Sequence, residues 1–312
     1  MHPLQVNIVK GGDLVRSKYG DGEMTDEWRW RMKHWKRKVD SVGSRAPEYP
    51  DRTTSASDRM SLLQWIDPDH LQVGDTSFTL SLDPATWSAA STVNRFLLLK
   101  TRRMIESFVA HVPDRVDNIV DLGIFKGGSI ALYNELFSPR HIVGVDSVKR
   151  REEALDRYVA KHSLKESVHL YYGTDQADQE RLTDILRVNF GDEALDLVID
   201  DCSHMYELTK ASLNILFPRL RPGGVYVIED WAWAHWSDEY WQGSTHQYTD
   251  ERTPLSKLIL ELVMVAASWP GLISEITVRS AQVYLTRGED LALDAGLDVS
   301  GSYLSGGRQM LH

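Results

Sequence analysis

A single cysteine, Cys202, among 312 residues leaves no partner for an intramolecular disulfide and no thiolate set for a cysteine-based zinc centre. That usage suits a reducing compartment, and a cytoplasmic location is expected. Long apolar runs are missing too. A membrane-spanning helix needs about 18 or more apolar residues, and the nearest candidate, Leu258 to Trp269, is short and contains Glu261. The first residues lack the charged-then-apolar pattern of a secretory signal. Positive charge is in deficit: 35 Lys and Arg against 45 Asp and Glu give a net charge of −10. This argues against a protein whose main task is gripping nucleic-acid phosphates. No internal repeat is visible. What is present is ample core material, with 42% of residues hydrophobic, enough for one large α/β domain with additions.

The organising stretch is Val116 to Asp146. Asn118 to Leu122 reads as a buried strand, Gly123 to Gly128 as a sharp turn, Gly128 to Phe137 as a helix, and His141 to Val145 as a second strand ending at Asp146. Glycines there let backbone approach a ligand, and the helix start offers free N–H groups. An acid closing the second strand can accept both hydroxyls of a ribose. The spacing, Asp121-x-Gly123-x-x-x-Gly127-Gly128, differs from the G-x-G-x-x-G dinucleotide fingerprint.

Downstream, helices and strands alternate. Helices are expected over about 150–161, 179–188 and 206–220, and strands over 167–172, 195–200 and 225–229. This order implies a doubly wound, mostly parallel sheet of seven strands with helices on both faces. A helix over 253–267 precedes two β-rich segments, 273–279 and 282–286. Only Ser280 and Ala281 separate them, so they must pair antiparallel as a terminal hairpin. Val93 to Val112 reads as one long helix entering the first strand. Residues 1–90 read as an N-terminal extension of helix and loop, poor in strand pattern, leaving 91–312 as the main domain. Within the extension Trp28, Met32, Trp35 and Val39 share one helical face among basic residues, and 41–57 reads as a linker. Residues 292–312, rich in glycine and serine, read as an irregular tail.

Two neighbouring strands end in acids, at Asp200-Asp201 and Glu229-Asp230. Neighbouring strands lie about 4.8 Å apart, so carboxylates from both can converge on one hard cation such as Mg²⁺. Asp201, Glu229 and Asp230 are the candidate ligands. His204 follows Asp201 by three residues at a helix start, over the same sheet edge. Histidine ordinarily titrates near neutral pH, about 6.5, which suits a general base. Asp230 to Trp241 then carries four tryptophans, a lid over a planar or sugar-like acceptor or a subunit interface.

Taken together, the glycine turn, Gly173-Thr-Asp-Gln-Ala-Asp178, Asp200-Asp-Cys-Ser-His204 and Arg221-Pro-Gly-Gly-Val-Tyr-Val-Ile-Glu-Asp230 resemble the class I S-adenosylmethionine (SAM) methyltransferases. The resemblance is to the metal-dependent O-methyltransferases of macrolide sugars and their cephalosporin-biosynthesis relatives, over about residues 93–286. It implies that Asp121, Gly123, Gly127, Gly128 and Ser129 line the methionine part of SAM and that Asp146 holds the ribose. Asp175, Gln176 and Asp200 would lie toward the adenosine. Asp201, Glu229 and Asp230 would bind Mg²⁺, with His204 the base and Asp201 beside it in catalysis. The sequence departs from that pattern at Asp121, where glutamate is usual, at Cys202, where glycine is usual, and at Thr174, which is inserted.

The expected function is therefore SAM-dependent, Mg²⁺-assisted O-methylation of a small-molecule hydroxyl, as on a sugar of a glycosylated natural product, by a homo-oligomer. Three rivals stand beside it: a metal-independent methyltransferase, an RNA methyltransferase using the basic helix around residues 28–38, and a non-catalytic SAM-binding scaffold.

Overall fold

The computed structural model describes residues 53–237, 242, 253–290, 297–299 and 301. The basic helix expected around residues 28–39, most of the 41–57 linker and most of the 292–312 tail lie outside them.

Helix α1 (Ala56–Leu62) is followed by strands β1 (Gln64–Asp67), β2 (His70–Val73), β3 (Thr76–Leu80) and β4 (Arg95–Leu98). These form one small sheet in that order, with β4 parallel to β3 and the other pairs antiparallel. Two sequence expectations are corrected here. Residues 64–80 are strand, where a strand-poor extension was expected, and the helix expected from Val93 begins only at Arg102. Phe96 sits opposite Phe78 in the β3–β4 register and meets Tyr158 edge to face at 5.5 Å. The apolar residues 96–98 fit either a helical or an extended period, and cross-strand packing decides for the strand. Helix α2 (Arg102–His111) then starts at Thr101, whose hydroxyl accepts the Met104 N–H. Its far end is closed by Arg59, a fully buried guanidinium that donates to the carbonyls of Val109 and Val112.

The main sheet contains β5 (Asn118–Leu122), β6 (His141–Asp146), β7 (Val168–Tyr172), β8 (Leu195–Asp200), β9 (Leu220–Glu229), β10 (Ile273–Val278) and β11 (Gln282–Arg287). Its order is β7-β6-β5-β8-β9-β11-β10; β5 to β9 are parallel, and β11 and β10 antiparallel. This is the expected doubly wound sheet of seven strands with its terminal hairpin. Helices α3 (Gly128–Phe137), α4 (Glu153–Lys161), α5 (Gln179–Phe190), α6 (Tyr206–Leu216) and α7 (Leu255–Ser268) connect it. Every residue of β5 and β8 is buried, because both faces are covered. Ile119 joins the core on one side of the sheet, with Ile130 and Phe96, while Val120 and Leu122 join the other, with Leu186 and Leu213.

The chain runs β5, β6, β7 toward one edge, then returns to β8 and β9 on the other side. That reversal opens a crevice at the carboxyl ends of β5 and β8, where ligands of such sheets bind. Among the described residues no helix is long and apolar enough to cross a membrane.

Candidate active site

The crevice is a cleft of about 750 Å³, within the range of small-molecule sites. Gly123, Gly128, Ser129, Asp146, Asp201, His204 and Asp230 line it, all of them residues expected from the sequence. Asp121, Gly127, Asp175, Gln176, Asp200 and Glu229 do not.

The glycine turn is shaped by the chain itself. A Cβ on Gly123 would lie 2.1 Å from the Asp201 carbonyl oxygen, and its φ of +108° is one that side chains rarely tolerate. The Asp201 N–H in turn donates to the Leu122 carbonyl. Gly123 thus lets the ends of β5 and β8 meet. Gly128 packs as closely on β4, where a Cβ would stand 2.4 Å from the Leu97 carbonyl oxygen. Asp146 pins the same turn: one carboxylate oxygen accepts the Ile124 and Phe125 N–H groups at 3.0 and 2.9 Å, and the other accepts Val148 N–H at 2.8 Å.

Three groups assigned to the adenosine side take other places. Asp200 lies behind the strand end, accepting from Ser212, Tyr226 and Gln176, and burial raises its pKa to about 6. Gln176 completes that network by accepting the Ser203 N–H. Asp175 is exposed and caps a turn at Ala177. These contacts fix the loop that carries Asp201 and His204.

Asp121 is fully buried; one oxygen accepts from Ser129 at 2.6 Å and the other has no hydrogen-bond partner among the described residues. Burial pushes its pKa up to about 8 from 3.8. The folded protein thus holds this proton between about pH 4 and 8 while an unfolded chain releases it, so stability falls as pH rises through that window. Asp121→Asn should therefore gain stability relative to the parent from pH 5 to pH 8. One pKa unit corresponds to about 1.4 kcal/mol, so a gain of about 2 kcal/mol or more is expected. Melting curves at the two pH values check this, and an equal difference at both would contradict it.

The acidic end of the cleft divides in two. Asp201, His204 and Asp230 each offer a ligand atom within 4.8 Å of the others, a set able to hold a divalent cation. Glu229 is instead drawn inward, where Lys100, a residue the sequence reading missed, bonds it and also bonds Asp201 Oδ2 at 2.9 Å. Gln282 donates to the other Glu229 oxygen at 3.1 Å. Burial opposes the charge on Lys100, but Asp201 and Glu229 outweigh it and raise its pKa.

His204 is held by its backbone and by one ring nitrogen. Nδ1 lies 3.3 Å from the Glu229 carbonyl, which can only accept, so Nδ1 carries the proton and Nε2 is the basic atom. Nε2 lies 3.9 Å from Asp201 Oδ1. The Trp233 indole donates to the His204 carbonyl at 2.8 Å, and Trp231 donates to the Arg279 carbonyl. These two rings are anchored, while Trp236 lines the cleft; Trp241 lies outside the described residues. His204 and Asp230 both adopt left-handed φ, +56° and +49°, a strain that clusters at functional sites.

The site thus stands on a doubly wound, mostly parallel sheet, with a glycine turn after β5 and acids at the ends of β8 and β9. Residues 120–231 match the family described as "Methyltransferase domain". The chain is 36% identical over 110 residues to demethylmacrocin O-methyltransferase of Streptomyces fradiae, covering 35% of this chain and 24% of that protein. It is 31% identical over 137 residues to mycinamicin VI 2''-O-methyltransferase of Micromonospora griseorubida, covering 44% and 31%. The match thus spans a third or less of these curated relatives. A solved structure of the MycE methyltransferase from the mycinamycin pathway, with Mg, SAH and mycinamycin VI, aligns at 25% identity and a TM-score of 0.43. It covers 60% of this chain and 49% of that one.

Proposed function

We propose that this protein transfers a methyl group from SAM to a hydroxyl of a small molecule, and that the acceptor is a sugar of a glycosylated natural product. The observation that carries the reading is the convergence of Asp201, His204 and Asp230 at one end of a cleft whose other wall is the Gly123–Ser129 turn with Asp146. The acceptor class comes from the relatives, which are named as O-methyltransferases of demethylmacrocin, rhamnosyl tetracenomycin-C and mycinamicin VI.

The donor set fits the expected groups in part. The Gly123–Ser129 turn, which lines the cleft, fits the amino-acid end of SAM, and Asp146 retains one lone pair, on the oxygen that accepts the Val148 N–H, for a ribose hydroxyl. Asp201 and Asp230 fit a divalent cation, with His204 Nε2 kept for the proton, whereas Glu229 does not while Lys100 and Gln282 hold it. When bound, SAM supplies an electrophilic methyl, and Mg²⁺ makes the hydroxyl more acidic. The chain supplies alignment and a base: His204 Nε2 takes the hydroxyl proton while Asp201 stands beside the imidazolium. A metal-independent variant of this reaction is the second reading, favoured by the Lys100 ammonium already present among the acids. We further propose that the protein is a cytoplasmic homo-oligomer.

Calorimetry tests the cofactor. SAH is expected to bind and NAD to show no affinity, since the dinucleotide glycine spacing is absent. Asp146→Ala should weaken SAH by about 1.5–3 kcal/mol, the worth of bonds to a charged acceptor. NAD binding without SAH binding would contradict the reading.

A further inference from the structure

Lys100 stands on the segment joining β4 to α2, so the small sheet and the capped start of α2 together deliver it to the acidic cluster. It is buried and lines the cleft, and two of its three N–H donors are taken by Asp201 and Glu229. Lysine is almost never this buried unless paired, and here the partners are two of the three carboxylates expected to bind metal. An ammonium and a divalent cation cannot share the same carboxylate edge without strong repulsion in so buried a place.

We infer that Lys100 is the built-in cation of this site. Its ammonium neutralises Glu229 and the inner oxygen of Asp201, and a divalent ion is left only the outer face formed by Asp201 Oδ1 and Asp230, beside His204. The inference rests on the methyltransferase reading for the use of the site, but concerns which residues are open to metal. It follows that the parent binds divalent cations weakly, that Glu229 contributes little to that binding, and that removing the ammonium brings Glu229 into the metal site.

The test is a double-mutant cycle read by calorimetric Mn²⁺ titration of the parent, Lys100→Met, Glu229→Gln and the double variant, with SAH titrated in the same samples. Lys100→Met should bind Mn²⁺ at least about tenfold more tightly than the parent, because a repelling charge is gone and a ligand is freed. Glu229→Gln should change parental affinity by less than about threefold, yet cost the Lys100→Met background about tenfold or more, a non-additivity that marks direct coupling. A tenfold loss from Glu229→Gln in the parent would overturn the inference, even were Lys100→Met unable to fold. Equal or weaker Mn²⁺ binding by folded Lys100→Met, or none at all, would also overturn it. Absence of SAH binding by the parent would instead sink the methyltransferase reading, whatever the metal cycle gives.

Discussion

His204→Ala is expected to lower kcat by about 10²–10⁴, the usual worth of a positioned general base, while SAH affinity and fold are retained. The expectation rests on the tautomer. With its Nδ1 proton held by the Glu229 carbonyl, the imidazole presents Nε2 as the acceptor at the acidic end of the cleft. The residue pays for that aim with a left-handed backbone, and Trp233 holds its carbonyl in place. A residue that merely packed or capped there would cost about 1 kcal/mol of stability and leave turnover nearly intact. Single-turnover kinetics on the purified variant, with SAH calorimetry as control, separate the two. A folded, SAH-binding His204→Ala that still turns over within a few-fold of the parent would remove the base from the mechanism.

The largest structural effect is expected from Gly123→Ala. The added methyl would enter the Asp201 carbonyl oxygen, and the φ of +108° disfavours any side chain. Neither neighbour can move without parting the ends of β5 and β8. The loss should reach about 3 kcal/mol or more, in the range of severe backbone substitutions. Gly191→Ala is the control for conformation: its φ/ψ of 55°/−121° is also one that side chains rarely adopt, but a Cβ there meets no described atom within 4 Å, so only strain of about 1–3 kcal/mol is expected. Urea unfolding of both variants checks the contrast, and equal losses would mean that conformation alone, not the contact with Asp201, makes Gly123 necessary.

Much of the fold was legible because the central strands are buried on both faces and read as unbroken apolar runs between turn residues. Asn118–Leu122, Gly128–Phe137 and Leu195–Asp200 fall where the pattern put them. Their strand-end acids were legible for the same reason, since topology carries them to one edge. Short strands such as Gln64–Asp67 and Arg95–Leu98 hold too few residues to show a period, and packing against Tyr158 decided the latter. Lys100 was hidden by sequence distance: its partners lie 101 and 129 positions away, and within Val93 to Val112 it read as one more residue of a long helix. The same pairing explains why Glu229, alike to Asp230 in sequence, differs from it in the structure. Gly123 was read as a place where backbone approaches a ligand; the close approach that requires glycine there is to the chain's own Asp201 loop.

The central claim is that this cleft seats the methyl donor with its reacting end toward His204. A crystal structure of the protein grown with saturating SAH tests it most directly. The account predicts SAH in the cleft, its ribose at Asp146 and its sulfur facing His204 and Asp201. A cleft empty at saturating SAH, or SAH bound with its sulfur turned away from His204, would contradict it.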